Sequence, residues 1–587
     1  MLVVIQYALL LLAVPTLISA KPRLLPFKPF TDTRLPPYVC NASTHDVADD
    51  GAARADFLVV GAGMSGLAAA HYLYAHTEAC TIRVLEARSV PGGRVRTTTD
   101  GPFTNMEIGA GWIHEYMGNP MLAVAHAMRI RTKWVGGDSS YVGGEEKIQI
   151  YDDRTVLDKK ARERSFDLMD SLLDRIYEEI DDRIDDHMPD SSLLSTIHNL
   201  TSTLSSADKR LLRWHLDVIF GGDWAAPLKN LSMMALEPGP LAYEGGDCVF
   251  PKGFMQVPQA LAQGVDVAYE EPATNISWRD DEIRVVSERG NVWQANKMLM
   301  TASIGVQRSS LINFHPPLPS YKQRTLDKFG MASLNRIMLR FPHAFWVNGT
   351  YTFGFLPSWI SDDDQEDAWA TEPVFSVAVV AAYEDREVVG GGAVLTFMIG
   401  GDSGSQILSH SDASIVSRVM RLLRRTFGSS IPDPTAYAIS DWASEPFALG
   451  VYAYLPVNTS VHIDVPALIQ PLSDKNGVER LFWAGEATMK GSSRGTTHGA
   501  FLSGIREAAR MIGRDEIVEK VVKADEEDFL SANKARSFGR QAMTARSSKR
   551  GIVVDDWFGA GEDSFRSEKI LCGEYKTEDL QFVVQRD

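Results

Sequence analysis

"DFLVVGAGMSGLAAAHYL", residues 56–73, holds an apolar strand, a glycine turn and the opening of a helix in one run. Gly61, Gly63 and Gly66 stand in G-x-G-x-x-G spacing. The first glycine permits a tight turn, the second lets the backbone approach a pyrophosphate, and the third lets the helix pack close to the sheet. Met64 and Ser65 open the helix, whose free N–H groups and dipole favour a diphosphate. A second strand, "CTIRVLEA", ends at Glu86, 20 residues after Gly66, where an acid accepts hydrogen bonds from ribose hydroxyls. Strand, turn, helix, strand and acid together predict a βαβ dinucleotide-binding unit that starts at Asp56. The unit alone leaves NAD and FAD both open.

The chain has 587 residues, too many for one ordinary core, so at least two domains are expected. Hydrophobic residues make up 44% and charged residues 23%, an ordinary globular balance. The formal net charge of −17 argues against nucleic acid and would suit a cationic ligand, or simply keep the protein soluble. Residues 1–20, "MLVVIQYALLLLAVPTLISA", read as a secretory signal peptide without the usual basic start, and Pro15 disfavours an uncleaved anchor. Six asparagines begin N-x-S/T sequons: Asn41, Asn199, Asn230, Asn275, Asn348 and Asn458. Leader and sequons predict a secreted glycoprotein with no membrane span after cleavage. Cys40, Cys80, Cys248 and Cys572 are too widely spaced to suggest a metal site, and their pairing cannot be read from spacing.

Directly after the acid-ended strand, which carries Glu86, Ala87 and Arg88, comes "SVPGGRVRTT" with Gly92, Gly93, Arg94 and Arg96. Two glycines allow close approach and the arginines offer fixed donors. This resembles the G-G-R-x-x-T motif of the flavin amine oxidase family, which includes polyamine oxidases, monoamine oxidases and histone lysine demethylases. "EIGAGWIHEYMGNP" resembles its flavin-contacting segment, here Gly109, Ala110, Gly111, Trp112, Ile113 and His114. "LFWAGEATMKGSSRGTTHGAFLSGIREAARMI" resembles its C-terminal FAD motif, with Gly485, Glu486, Thr496 and Thr497. The resemblance covers roughly residues 55–515 and is nearest to the polyamine oxidases, above all over 297–350.

The resemblance implies an α/β fold, with a Rossmann-like FAD-binding domain of a GR2-type flavoprotein and an α+β substrate-binding domain built on a mixed sheet. The expected division is 1–20 signal peptide, 21–54 irregular segment, 55–115 with 240–315 and 440–515 for FAD, 116–239 with 316–439 for substrate, and 516–587 a loosely ordered extension. It implies noncovalent FAD, because Val451 precedes Tyr452 where monoamine oxidases carry the attaching cysteine. Glu486 is expected to meet the ribityl chain, and the helix opening near His498 to aim its N-terminus at the flavin pyrimidine. The implied chemistry is hydride transfer from a neutral amine to flavin N5, imine hydrolysis, and reduction of oxygen to hydrogen peroxide. The expected partners are a small amine or polyamine and oxygen, with the protein a monomer.

The strand "SLNRIMLRFP", residues 333–342, places Arg336 where the family carries a lysine that holds a water at the flavin. Arginine is longer, planar and permanently charged, so Arg336 either keeps that role, slows the reaction with oxygen, or bridges a neighbouring acid. Tyr452 corresponds to one aromatic wall beside the flavin. Thr496 stands at the opposite wall, which is not aromatic in the lysine demethylases either. Trp442 matches the family tryptophan or is a plain core residue. His114 resembles the histidine of polyamine oxidase tunnels or is structural. No arginine follows the glycine segment as it does in L-amino acid oxidases, which favours an amine over an amino acid. The alternatives are an oxidase or dehydrogenase of another amine and a catalytically weak FAD-binding protein, with histone demethylation disfavoured by the leader and sequons.

Overall fold

The computed structural model describes residues 37–40, 52–137, 147–236, 243, 246–278, 280–356, 377–380 and 393–523. Two large sheets organise them. In the nine-stranded sheet, Val267–Ala268, Ile82–Leu85, Ala53–Val60 and Val292–Met300 lie in parallel succession. Val292–Met300 divides its other edge between antiparallel Ile283–Ser287 and parallel Glu479–Trp483. The first strand begins at Ala53, three residues before Asp56, because Trp293 to Ala295 extend the pairing to Ala53 to Ala55. Both faces of this sheet are covered. Phe57, Val59 and Phe482 pack into one core, while Leu58, Val60, Met298 and Trp483 pack into another. That is why its strands read as unbroken apolar runs.

The helices Met64–His76 and Thr497–Met511 cross on one face of this sheet. Alanines 68 to 70 and 508 to 509 are fully buried there. At the crossing, a Cβ on Gly504 would lie 2.0 Å from the Ser65 carbonyl oxygen. Ser503 gives its hydroxyl hydrogen to Ala500 O (2.7 Å) and accepts from Gly485 N (2.9 Å), with Ser65 Oγ 3.3 Å away. The glycine loop and the C-terminal segment are thereby tied together through one serine.

The seven-stranded sheet runs Ala436–Ile439, Leu334–Phe341, Ala393–Gly400, Val377–Val380, Thr352–Phe355, Ile148–Asp152, Thr155–Val156. Only Thr352–Phe355 and Ile148–Asp152 pair in parallel, so the sheet is mixed. Period two holds along Leu334–Phe341: Ile337, Leu339 and Phe341 enter one core, and Met338 packs with Phe103 and Met106 on the other side. Arg336 shares the Met338 face. The acidic helix spans Lys159–Asp185, capped by Asp158, whose side chain accepts from Ala161 N at 2.8 Å. Phe166, Met169, Leu172, Ile176 and Ile180 form its buried stripe, and Ile184 in its last turn is exposed.

Two expected irregular segments are partly structured. Tyr38–Val39 pairs with Thr77–Glu78, and a Cys40–Cys80 disulfide fixes that contact. Cys248 is also disulfide-bonded, and Cys572 lies outside the described residues. The extension expected to be loose from 516 begins as a helix over 515–523, because Val518 and Val521 bury their side chains at helical spacing. Residues 524–587 lie outside the described part. Among the described residues no helix is long and apolar enough to cross a membrane.

The helix crossing gives a test. Alanine ordinarily stabilises a helix relative to glycine by about 1 kcal/mol. At Gly504 the added methyl must push against backbone, an overpacking cost of roughly 1–3 kcal/mol. Gly504→Ala is expected to lower the thermal midpoint and to weaken flavin retention. A raised midpoint in a thermal melt would contradict the close crossing.

Candidate active site

A single cavity of about 710 Å³ receives all the glycine-rich motifs. At the first loop, a Cβ on Gly66 would come within 1.9 Å of Gly61 O, so the helix can start this close to the strand only with glycine. Gly61, Gly63, Met64 and Ser65 line the cavity, and nothing stands within 4 Å of where a Cβ on Gly63 would be. Glu86 ends its strand buried, its carboxylate accepting from Ala62 N (2.8 Å) and Arg88 N (2.9 Å). Burial pushes its pKa up, against those hydrogen bonds and the Arg88 charge. A carboxylate accepts about four hydrogen bonds, so capacity remains for ribose hydroxyls. Ala87 and Arg88 line the same wall, with Arg88 paired to Glu445 and lying over Phe447. Burial draws Arg88 down to about 10, against the Glu86 charge.

Gly93, Arg94, Gly109, Ala110, Gly111 and Trp112 continue the lining. Arg94 Nη1 donates to Val451 O (2.7 Å) and to Glu486 Oε1 (2.8 Å). Glu486 also accepts from Ala453 N, at 3.2 Å to Oε1. The motifs at 94, 451–453 and 485–486, remote in sequence, thus meet at one buried carboxylate. The Thr497–Met511 helix presents its N-terminus to the cavity through Thr496, Thr497 and His498. Thr496 is its N-cap: its hydroxyl donates to Ser493 O (2.7 Å) and accepts from Gly499 N (2.9 Å). Both functions of that hydroxyl are therefore structural, and no aromatic wall stands at Thr496. His498 is held neutral, pushed down to about 3 by burial and then by the nearby His114.

At the other part of the cavity, Arg336 is only 8% exposed and lies over the Trp112 ring, Cζ 4.7 Å from its centroid. Its Nη2 is 3.1 Å from where a Cβ on Gly111 would be, so glycine there makes room for the guanidinium. A planar cation against an aromatic face is stabilised by about 1–2 kcal/mol when desolvated. The Tyr452 ring packs beside Gly495, and its hydroxyl donates to Gly222 O at 2.5 Å. Trp442 is buried but lines the cavity, donating from Nε1 to Ile108 O at 2.7 Å.

His114 Nδ1 donates to Asp247 Oδ2 at 3.1 Å, while Glu115 N donates to Oδ1 at 3.1 Å. Asn119 Nδ2 fixes the same segment by donating to His114 O at 2.8 Å. The antiparallel register Trp112 with Val249 and Ile113 with Cys248 brings fully buried Asp247 beside His114. Burial alone would lower the imidazole. Asp247, then Asp223 and Glu115, outweigh it and raise it to about 9.

Two residues expected at the cofactor do not line the cavity: Gly66, whose missing side chain serves the helix–strand contact, and Ile113. Ile113 is fully buried in the core behind the cavity, because successive strand residues face opposite ways and Trp112 takes the cavity side. Asp247, Asp223, Glu115, Ser503 and Arg506 were not singled out by their sequence context. Arg506 is fully buried and donates to Thr488 O and Thr488 Oγ1, both at 3.0 Å, which steadies the turn carrying Glu486.

Residues 64–512 match the family model described as flavin containing amine oxidoreductase, and the chain belongs to that family. Among curated proteins it is 31% identical over 471 residues to lysine-specific histone demethylase 1 homolog 2 of Oryza sativa subsp. japonica, covering 79% of this chain and 57% of the relative. It is 29% identical over 468 residues to the Arabidopsis thaliana homolog 2, covering 78% and 58%. The chain thus spans less than two thirds of the length of these relatives. Among solved structures, putrescine oxidase bound to putrescine superposes with a TM-score of 0.60 at 20% identity, covering 78% of this chain and 99% of that one. Cyclohexylamine oxidase from Brevibacterium oxydans gives 0.59 at 18%, covering 79% and 99%. These two similarities establish the fold. The cofactor is noncovalent FAD, and the residues fit it: an open glycine loop, a buried acid with accepting capacity, and a helix N-terminus converge on one cavity.

The His114–Asp247 pair has a pH signature. A histidine whose value is raised on folding stabilises the folded state fully below its ordinary value near 6.5, and that contribution is lost as pH rises through about 9. The thermal-midpoint advantage of wild type over Asp247→Asn is therefore expected to be largest near pH 6 and to shrink between pH 7 and 10. A difference constant across that range would contradict the pairing.

Proposed function

We propose that the protein is an FAD-dependent amine oxidase, most like a polyamine oxidase, that oxidises a C–N bond of a small amine, releases the imine to hydrolysis and passes the electrons to oxygen as hydrogen peroxide. The observation that carries this reading is the continuity of the nucleotide cradle with the compartment formed by Trp112, Arg336, Tyr452 and His114 in one cavity. FAD, when bound, supplies the hydride acceptor. The protein's own task is to orient and desolvate the amine. Trp112 and Tyr452 offer apolar ring surface for the carbon chain. Arg336, permanently positive, disfavours an ammonium beside it and so favours the neutral amine whose lone pair hydride loss requires. The same charge favours negative charge developing nearby.

Likeness to the demethylase homologues supports a second reading, oxidation of a methylated lysine side chain. Anaerobic mixing separates the two. Bleaching of the flavin absorbance by putrescine or spermidine, with recovery and peroxide on admitting oxygen, is the expected result. Bleaching only by a methylated-lysine peptide would favour the second reading, and bleaching by neither would overturn both. Arg336→Lys is expected to change the reoxidation rate by about tenfold or more. An unchanged rate would remove Arg336 from the oxygen step.

We further propose that the protein enters the secretory pathway. The Cys40–Cys80 disulfide supports this. So does the exposure of four sequon asparagines, Asn199, Asn230, Asn348 and Asn458; Asn275 is half-buried and Asn41 lies outside the described residues. Glycosidase treatment of protein recovered from a eukaryotic culture medium should lower its mass by several glycans. Retention in the cell without a mass change would overturn the proposal.

A further inference from the structure

Lys322 stands in the first turn of the helix Ser320–Lys328, whose Leu326 packs in one core with Trp483. Its side chain is fully buried. A buried ammonium is costly unless its three N–H groups are met. Here Nζ donates to Ala467 O (3.1 Å), Leu468 O (2.8 Å) and Gln470 O (2.6 Å), at the C-terminal end of the helix Asp464–Ile469. Six residues on, Lys328 Nζ donates to Asp464 Oδ1 at 2.8 Å, at the other end of that helix. Burial draws Lys322 down to about 7, with the Glu507 charge opposing it. A neutral amine has two N–H groups for three carbonyls, so the geometry favours the ammonium.

Clasping two helices accounts for the carbonyls but not for the ring that the same ammonium faces. Nζ lies 3.9 Å from the centroid of Trp483. Trp483 ends the strand Glu479–Trp483, and Gly485 and Glu486, which line the cavity, follow two and three residues later. The indole Nε1 donates to Gln307 Oε1 (2.9 Å), and Gln307 Nε2 donates to Ala302 O (2.7 Å). Thr301, Ala302 and Ser303 line the same cavity. The indole is therefore held by its face and by its N–H edge, between two stretches that wall the cradle.

We propose that Lys322 is a positioning residue for FAD: its ammonium, fixed by three carbonyls, pins the Trp483 indole and through it sets the cavity-lining stretches 484–486 and 301–303. This rests on FAD as the occupant of the cavity and is independent of which amine is oxidised. A methionine at 322 would fill nearly the same length but leave the carbonyls unmet and the ring face without its cation. The indole would then be held by its edge alone.

The test strips the full-length chain of FAD and titrates it back, reading flavin fluorescence at a temperature where circular dichroism shows each variant folded. Lys322→Met is expected to raise the FAD dissociation constant on the order of tenfold, about the size of one net hydrogen bond. The rise in thermal midpoint that FAD gives is expected to shrink accordingly. Gln307→Met, close in size, leaves the ammonium and its carbonyls intact and cuts the chain between the indole and Ala302. It is expected to raise the dissociation constant in the same direction, and the double variant to lose little beyond Lys322→Met alone. A lysine that serves only the fold would lower the midpoint with and without FAD alike and leave the dissociation constant unchanged; that result, or fully additive losses, would overturn the assignment. If Lys322→Met does not fold, an unchanged dissociation constant in Gln307→Met overturns it instead. A wild-type chain that takes up no FAD would overturn the occupant of the cavity, and this assignment with it.

Discussion

The crossing of the first and last helices of the nucleotide domain is the constraint on which the rest depends. Ser65 belongs to the glycine loop and Gly504 to the C-terminal motif. The absence of a side chain at Gly504 lets their backbones come together. Ser503 then touches Ser65 and receives the Gly485 amide within the same crossing. The diphosphate end of the cradle and the ribityl end are therefore set by one packing contact. Any displacement of the last helix moves both. Arg506, one turn along, carries the constraint on to Thr488 and so to the turn that bears Glu486.

The second level of organisation is electrostatic. Fixed charges of both signs stand in and behind the cavity wall, among them the pairs Arg94 with Glu486, Arg88 with Glu445 and His114 with Asp247. Arg336 also lies over the face of Trp112. A guanidinium tolerates this better than an ammonium would, because it is flat and more weakly hydrated. The surroundings fit a guanidinium in shape as well, with Gly111 leaving space for it.

What could be read in the sequence was what is local. Gly61, Gly63, Gly66 and Glu86 lie within one βαβ unit, so their spacing alone carries the geometry. The strand around Arg336 was legible because period two survives whatever packs on it. Thr496 was visible as part of a motif, yet its work as a helix cap depends on a turn at Ser493 that spacing does not encode. Ile113 was misplaced because a motif names a segment, whereas a strand sends alternate residues to opposite sides. Asp223 and Asp247 were invisible for a further reason. One depends on a π-helical turn that shifts its register, and the other on a strand register with residues more than a hundred positions away. The extension after 515 was underestimated because two valines at helical spacing are a weak signal until a surface exists to receive them.

The Val292–Met300 strand shares one edge between two partners, one nearby in sequence and one far off. About 180 residues separate Met300 from Glu479. At ribosomal speeds of roughly 5–20 residues per second, the half-edge that Glu479–Trp483 will occupy stands open for on the order of ten to forty seconds during synthesis. Open backbone beside an apolar run invites the wrong strand. The last strand and helix also complete the cradle, so the nascent chain acquires a place for its cofactor only at the moment that exposed edge is closed. Cofactor supply and edge protection are thus two demands met by the same late event in the making of the protein.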